Sequence, residues 1–139
     1  MGRAGTPVVT VPPLRVVVAD DDGDIRLLVG IAVRKAGLDL VASAHDGDDA
    51  WALVIGMAPD LVVADVSMPG MTGLDLCRLV RAEPALSATR VVLLSAAVDD
   101  ASRQAGLDAG ATDYLIKPFS PRELAYRLVQ LATHIEARL

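Results

Sequence analysis

Aromatic side chains are scarce in this sequence: one Trp, two Tyr and one Phe, 3% of 139 residues. Its core must therefore be built from Val, Leu, Ile and Ala, and a flavin has few rings to stack on. Cysteine is limited to Cys77, which excludes a disulfide framework and a cysteine-based zinc site within one chain. The surroundings of Cys77 look helical, and a small core or boundary thiol is a better reading than a nucleophile. The histidines, His45 and His134, are read as lacking a partner at ligand spacing, hence as structural or solvated. Long apolar runs are missing too. Residues 27–33 and 91–94 fall far short of the roughly 18 needed to span a membrane. Basic residues do not dominate: 13 Lys and Arg face 18 Asp and Glu, a net charge of −5. That argues against nucleic-acid binding by this chain, which needs a basic face. No G-x-x-x-x-G-K-[ST] occurs, which excludes a P-loop. The N-terminus has one Arg before Pro7, and Pro12-Pro13 interrupts its valines, unlike a signal peptide. A soluble cytoplasmic protein is expected.

What is present is a globular composition. Apolar residues make up 53% and charged residues 22%, so disorder is not the dominant state. The length suits one domain, large enough to bury about two thirds of its unfolded surface. The Pro/Gly/Thr-rich residues 1–13 read as a flexible tail, and 14–139 as the domain.

Short Val/Leu/Ala runs alternate with helical patterns. Strands are predicted at 14–19, 39–44, 60–64, 90–94 and 112–116. Most are continuous apolar runs, as in parallel strands covered on both faces. In the first helix Ile25, Leu28, Val29, Ala32 and Val33 make an apolar stripe, and Gly37 ends it. Ala50, Leu53, Val54 and Met57 repeat the pattern after Asp46, a candidate N-cap, and Pro59 stops that helix. A third helix starts near Thr72 and stops before Pro84. The fourth, 99–109, has only small apolar residues and an internal Gly106. It should be the least stable, since Gly costs about 1 kcal/mol relative to Ala. The fifth opens with Ser120-Pro121-Arg122-Glu123, a capping box with Pro at the first helical position, and its stripe is Leu124, Leu128, Leu131 and Ile135. Five strands alternating with five helices give a (βα)5 α/β fold. Right-handed crossovers then place helices on both faces of a doubly wound parallel five-stranded sheet.

Ligands of open α/β sheets bind beyond the carboxyl ends of the strands. There the sequence places Asp20, Asp21, Asp22 and Asp24 after strand one and Asp65 after strand three. Ser95 follows strand four, and Lys117 follows strand five. Clustered carboxylates repel one another unless a cation joins them, and hard oxygen donors suit Mg²⁺. A carboxylate can also attack phosphorus to give an acyl phosphate. Phosphoryl transfer then needs in-line positioning and neutralisation of the equatorial oxygens, for which a metal, an ammonium and a hydroxyl serve. The set is complete for phosphorylation of an aspartate.

These segments resemble the receiver domain of two-component response regulators, with a chemotaxis-regulator-like fold. The matching stretches are Val16-Val17-Val18-Ala19-Asp20-Asp21-Asp22, Asp65-Val66-Ser67-Met68-Pro69-Gly70-Met71-Thr72-Gly73, Leu93-Leu94-Ser95-Ala96-Ala97, and Gly110 through Phe119 with Tyr114 and Lys117-Pro118. They stand in the family's order and cover residues 14 to about 137. The resemblance implies the flavodoxin-like strand order 2-1-3-4-5 and a phosphoacceptor role for Asp65. It implies Mg²⁺ bound by Asp21, by Asp20, often through water, by Asp65 and by the backbone carbonyl of Ser67. It gives Ser95 the part of the switch hydroxyl and Lys117 that of the lysine pairing with a phosphoryl oxygen, with a cis bond to Pro118. Tyr114 takes the part of the aromatic switch whose ring swings inward once the hydroxyl moves. The donor would be a sensor histidine kinase or a histidine phosphotransfer protein. The output would be a partner or domain controlled through the face of helix four, strand five and helix five, a face also suited to a homodimer. The chain would be a signalling phosphoacceptor that assists its own phosphorylation and dephosphorylation, not a turnover enzyme.

Blander readings apply to the remaining residues. Asp22 and Asp24 fit first-turn acids favoured by the helix dipole, and Asp46, Asp48 and Asp49 an N-cap with solvated neighbours. Met68 and Met71 fit packing, Trp51 partial exposure, and Tyr114 alone would be a strand residue with a wet hydroxyl. Ser67 and Ala97, which line the route of the attacking water in the family, are both small. That predicts a moderately long-lived phosphoryl group. Two rival functions differ in class. An aspartate-nucleophile phosphatase of the haloacid dehalogenase type wants an acid two residues after Asp65, where Ser67 stands. A phosphate-independent interaction module has no need of the intact Asp20, Asp21, Asp65, Ser95 and Lys117.

Overall fold

The computed structural model describes residues 12–117 and 119–136, the side chains of 134–136 excepted. Residues 1–11 of the expected tail and the Lys117–Pro118 bond therefore lie outside the described residues, as do the side chains of His134 and Ile135. The elements alternate as β1 (Arg15–Ala19), α1 (Gly23–Lys35), β2 (Asp39–Ala44), α2 (Gly47–Met57), β3 (Leu61–Asp65), α3 (Gly73–Ala82), β4 (Arg90–Ser95), α4 (Asp100–Asp108), β5 (Asp113–Ile116) and α5 (Pro121–Glu136). The strands form one sheet in the order β2-β1-β3-β4-β5, and every neighbouring pair is parallel. This is the flavodoxin-like order the resemblance implies.

Side chains alternate across a strand, and the two cores follow that alternation. Val16, Val18, Leu61, Val63, Val92, Leu94 and Leu115 pack with Val29, Ala32 and Val33 of α1 and Leu124 and Leu128 of α5. Val17, Ala19, Val62, Ala64, Val91, Leu93 and Tyr114 face the other way. They pack with α2, α3 and the end of α4 through Ala50, Val54, Leu76, Cys77, Val80 and Ala109. Continuous apolar runs are thus required, because each residue has a core to fill. Each fully buried Val or Leu contributes about 1.5–3 kcal/mol relative to exposure. Cys77 is buried, and its Sγ donates to the Ala109 carbonyl at 3.3 Å. Burial raises the pKa of its thiol, against a smaller opposing pull from Arg81 and Arg78. It is a core residue.

Caps explain most helix starts. Asp22 caps α1 through the N–H groups of Asp24 and Ile25, Asp46 caps α2, and Asp99 caps α4. Thr72 and Asp75 form a reciprocal capping box on α3. At α5 Ser120 Oγ accepts the Glu123 N–H at 3.0 Å, but Glu123 answers to the Ser120 hydroxyl, 3.3 Å away, not to its backbone. Three local features depart from the expected pattern. A turn of 3-10 helix at Pro84–Leu86, capped by Glu83, joins α3 to β4. α2 ends on Ala58 at φ 46°, a left-handed residue that is not glycine. β3 and β4 each run one residue further than predicted, so Asp65 and Ser95 close their strands.

Candidate functional site

Strand order creates the site. β1 lies between β2 and β3, and the chain leaves β1 for α1 on one face and β3 for α3 on the other. A crevice opens at such a switch point. Ala19 pairs with Ala64, so Asp20 and Asp65 stand side by side at its mouth. Asp65 pairs with Leu94 and Ser95 with Ile116, which brings Ser95 and Lys117 to the same rim.

Lys117 joins the two acids. Its Nζ is 3.2 Å from Asp20 Oδ2 and 3.3 Å from Asp65 Oδ1. Asp20 is 0% exposed and Asp65 6%. Asp20 Oδ1 accepts the Asp22 N–H at 3.0 Å, and Asp65 Oδ1 accepts the Ser67 N–H at 3.3 Å. Arg26 of α1 donates to the Asp20 carbonyl at 2.8 Å and ties that helix to the acid pocket. Asp21 is exposed, yet one oxygen each from Asp20, Asp21 and Asp65 lie within 4.8 Å of one another. One ammonium therefore faces three carboxylates. Burial and then the Asp20 carboxylate push the Asp65 pKa up, against Lys117 and the Ser67 N–H, which pull it down. Burial depresses Lys117, but Asp65 and Asp20 together outweigh it and raise its pKa. An excess of hard, close, partly desolvated oxygens is a donor set that fits a small divalent cation such as Mg²⁺.

The hydroxyl and the ring meet on the β4–α4 loop. Ser95 is buried, and its Oγ accepts the Ala97 N–H at 3.0 Å. Tyr114 donates its hydroxyl to the Ala97 carbonyl at 3.2 Å. The ring is 2% exposed. A strand residue with a wet hydroxyl is thereby excluded, and the ring already occupies the inward position. Ser67 is exposed, Met68 is buried and Met71 half-buried, the last two packed with the α2–α3 core. An apolar cleft lined by Ile25, Leu28, Ala96, Lys117 and Phe119 opens beside the lysine.

Other residues fall elsewhere. His45 does have partners, contrary to expectation: Nδ1 is 3.4 Å from Asp49 and Nε2 is 3.7 Å from Asp46. His45 and Asp49 are four apart across the start of α2, and both are exposed. Trp51 is half-buried, as expected. Sequence reading missed Arg26, whose role depends on a carbonyl. It also missed Gly47 and Gly73. A Cβ at Gly47 would collide with the carbonyl oxygen of Met71, and one at Gly73 with that of Asp65. Both glycines let a helix start press against the end of β3 and the loop that follows Asp65.

Residues 16–129 match the response regulator receiver domain. This chain belongs to that family. It is 40% identical over 114 residues to the DNA-binding response regulator MtrA of Mycobacterium tuberculosis, covering 82% of this chain and 48% of that protein. It is 35% identical over 117 residues to the transcriptional regulatory protein ResD of Bacillus subtilis, covering 84% of this chain and 47% of ResD. The chain spans about half the length of these curated relatives. The chemotaxis response regulator CheY4 of Vibrio cholerae superposes with a TM-score of 0.77 at 31% identity, over 86% of this chain and 98% of that one. The signal receiver domain of NarL from Mycobacterium tuberculosis gives 0.81 at 32%, over 88% and 98%. Among the described residues, no helix of this receiver domain is long and apolar enough to cross a membrane.

Proposed function

We propose that this receiver domain takes a phosphoryl group onto Asp65 from a phosphohistidine on a sensor histidine kinase or a histidine phosphotransfer protein, or from a small acyl phosphate. The observation that carries this reading is the bridging of Asp20 and Asp65 by Lys117 over a trio of close carboxylates. Lys117 and the Ser67 N–H both engage Asp65 through Oδ1, and among the described residues no hydrogen bond or ion pair is made to Oδ2. Oδ2 is therefore the nucleophile. It attacks phosphorus as the donor's N–P bond breaks, and the imidazole leaves with the electron pair and takes up a proton.

Asp20, Asp21, Asp65 and the Ser67 carbonyl would hold Mg²⁺. When bound, the ion neutralises charge on the phosphoryl oxygens and on the attacking carboxylate. Lys117 is already at the reacting carboxylate and pairs with one phosphoryl oxygen. Ser95 gives up the Ala97 N–H to reach another. Charge at Asp65 rises by about one to two units on modification. The freed loop passes that change to Tyr114 and to the α4–β5–α5 face, which controls a partner or an output domain. A 1:99 to 99:1 reversal of that face takes about 5.5 kcal/mol of differential stabilisation. The chain acts in the cytoplasm as a signalling phosphoacceptor, not a turnover enzyme, and it binds no nucleic acid itself.

The test is intact mass after incubation with acetyl phosphate, with and without Mg²⁺, beside Asp65→Asn. A Mg²⁺-dependent gain of one phosphoryl group, absent in the variant, is expected. Modification that persists in a folded Asp65→Asn protein overturns the assignment. No gain from acetyl phosphate or from a phosphorylated histidine kinase favours a phosphate-independent interaction module.

A further inference from the structure

Gly106 is buried inside α4, where glycine is the poorest helix former after proline. Its surroundings explain it. A Cβ at this position would stand 2.7 Å from Tyr114 Cδ2, 3.2 Å from Cε2 and 3.4 Å from Leu93 Cδ1. The first distance is far inside ordinary contact, and the obstacle is a rigid ring. That ring cannot easily slide away. Leu93 is its register partner on β4, and its hydroxyl is fixed on the Ala97 carbonyl. Arg103, one turn earlier on α4, has its guanidinium carbon 6.0 Å from the ring centroid, within cation–π range. The helix thus offers a missing side chain at the Cδ2–Cε2 edge of the ring and a cation over it.

We propose that Gly106 is the positioning residue for Tyr114: its bare Cα opens a slot in α4 that holds the ring inward in the unmodified chain. The slot stands on its own geometry, and it rests on the phosphoacceptor reading only for its meaning in signalling. In that reading the aromatic half of the switch is set before a phosphoryl group arrives, while Ser95 still holds the Ala97 N–H. Modification then acts on a loop whose aromatic anchor is already in place. A methyl group at 106 expels the ring and uncouples it from that loop.

The chain has two tyrosines, so Tyr126→Phe leaves Tyr114 as the sole one. In that background 3-fluorotyrosine is incorporated and the ¹⁹F resonance is recorded in H₂O and D₂O, with no phosphodonor present. One resonance without a solvent isotope shift is expected. Gly106→Ala moves that resonance and gives it the isotope shift of an exposed ring, with far-UV circular dichroism unchanged. An exposed ring before the substitution, or a shielded and unmoved one after it, overturns the proposal. If Gly106→Ala does not fold, it is combined with Tyr114→Leu. Restored folding supports a collision with the ring, and a chain still unfolded overturns it. Because no phosphoryl group is used, failure of the phosphoacceptor reading shows in the mass assay and leaves this outcome unaffected.

Discussion

Lys117 Nζ lies 3.3 Å from Asp65 Oδ1 while also holding Asp20 at 3.2 Å. The lysine therefore offsets the mutual repulsion of two nearly buried carboxylates, and in the proposed function it goes on to pair with a phosphoryl oxygen. Removing it leaves the acids with no protein cation at this position. Lys117→Ala is expected to keep Mg²⁺ binding and to gain a larger rise in melting temperature on Mg²⁺ addition than the parent, because a ligand that binds only the folded state stabilises it by mass action. The phosphorylation-dependent response of its partner should be lost. A melting series with and without Mg²⁺ checks the first part, and a normal partner response would refute the role.

Ser67 and Ala97, which the family resemblance puts on the route of the attacking water, are both small. Ser67 is exposed, and both backbone groups of Ala97 are engaged by Ser95 and Tyr114. Neither side chain can hold a water as a long polar one can. The phosphoryl group on the isolated domain should outlast seconds. Ala97→Glu should shorten its life about tenfold, roughly 1.4 kcal/mol of barrier. Decay of the phosphorylated mass after donor removal measures both.

The raised pKa of Asp65 has a definite sign in stability. A group that binds its proton more tightly when folded stabilises the fold below its unfolded pKa. That contribution is lost as pH rises from its ordinary value of 3.8 through the raised folded value. Without divalent cations, the parent should therefore lose stability relative to Asp65→Asn as pH climbs from 4 to 7. Mg²⁺ should narrow the gap at pH 7. Urea melts of both proteins across that range supply the comparison, and a gap independent of pH would contradict the burial and Asp20 repulsion invoked here.

Glycine to alanine should have opposite signs at different positions. At Gly47 and Gly73 the added Cβ meets backbone carbonyls of Met71 and Asp65, which cannot yield as side chains do. A loss of about 1–3 kcal/mol is expected at each, and Gly73→Ala should also slow phosphorylation, because it displaces Asp65. At Gly56, in the same helix as Gly47, nothing lies within 4 Å. There the substitution should stabilise by about 0.5–1 kcal/mol. Denaturant midpoints for the three variants test the contrast.

Much of this was readable in the sequence because it is local. β2 has the predicted bounds, and Asp46 caps α2 from a single residue's chemistry. The acid pocket was legible because strand ends and their order bring Asp20, Asp65 and Lys117 together once the sheet is parallel. What was not legible depends on contacts between distant segments. Gly106 read as a weakness in α4, since its reason is a ring on β5. Asp65 read as lying beyond its strand, but the following N–H, that of Val66, still bonds to the Leu94 carbonyl at 2.9 Å. His45 was read without a partner although Asp49 lies four residues on. The left-handed Ala58 breaks the usual glycine rule for helix ends, and no local signal announces it.

Cys77 has a practical meaning. Its sulfur is sealed between α3 and the carbonyl of Ala109, the residue that ends α4, and the chain has no second thiol. The folded surface is in effect cysteine-free, so a label introduced anywhere else would be unique. The native sulfur becomes a clock: its rate of capture by a thiol reagent in buffer counts how often the packing between these two helices breathes open.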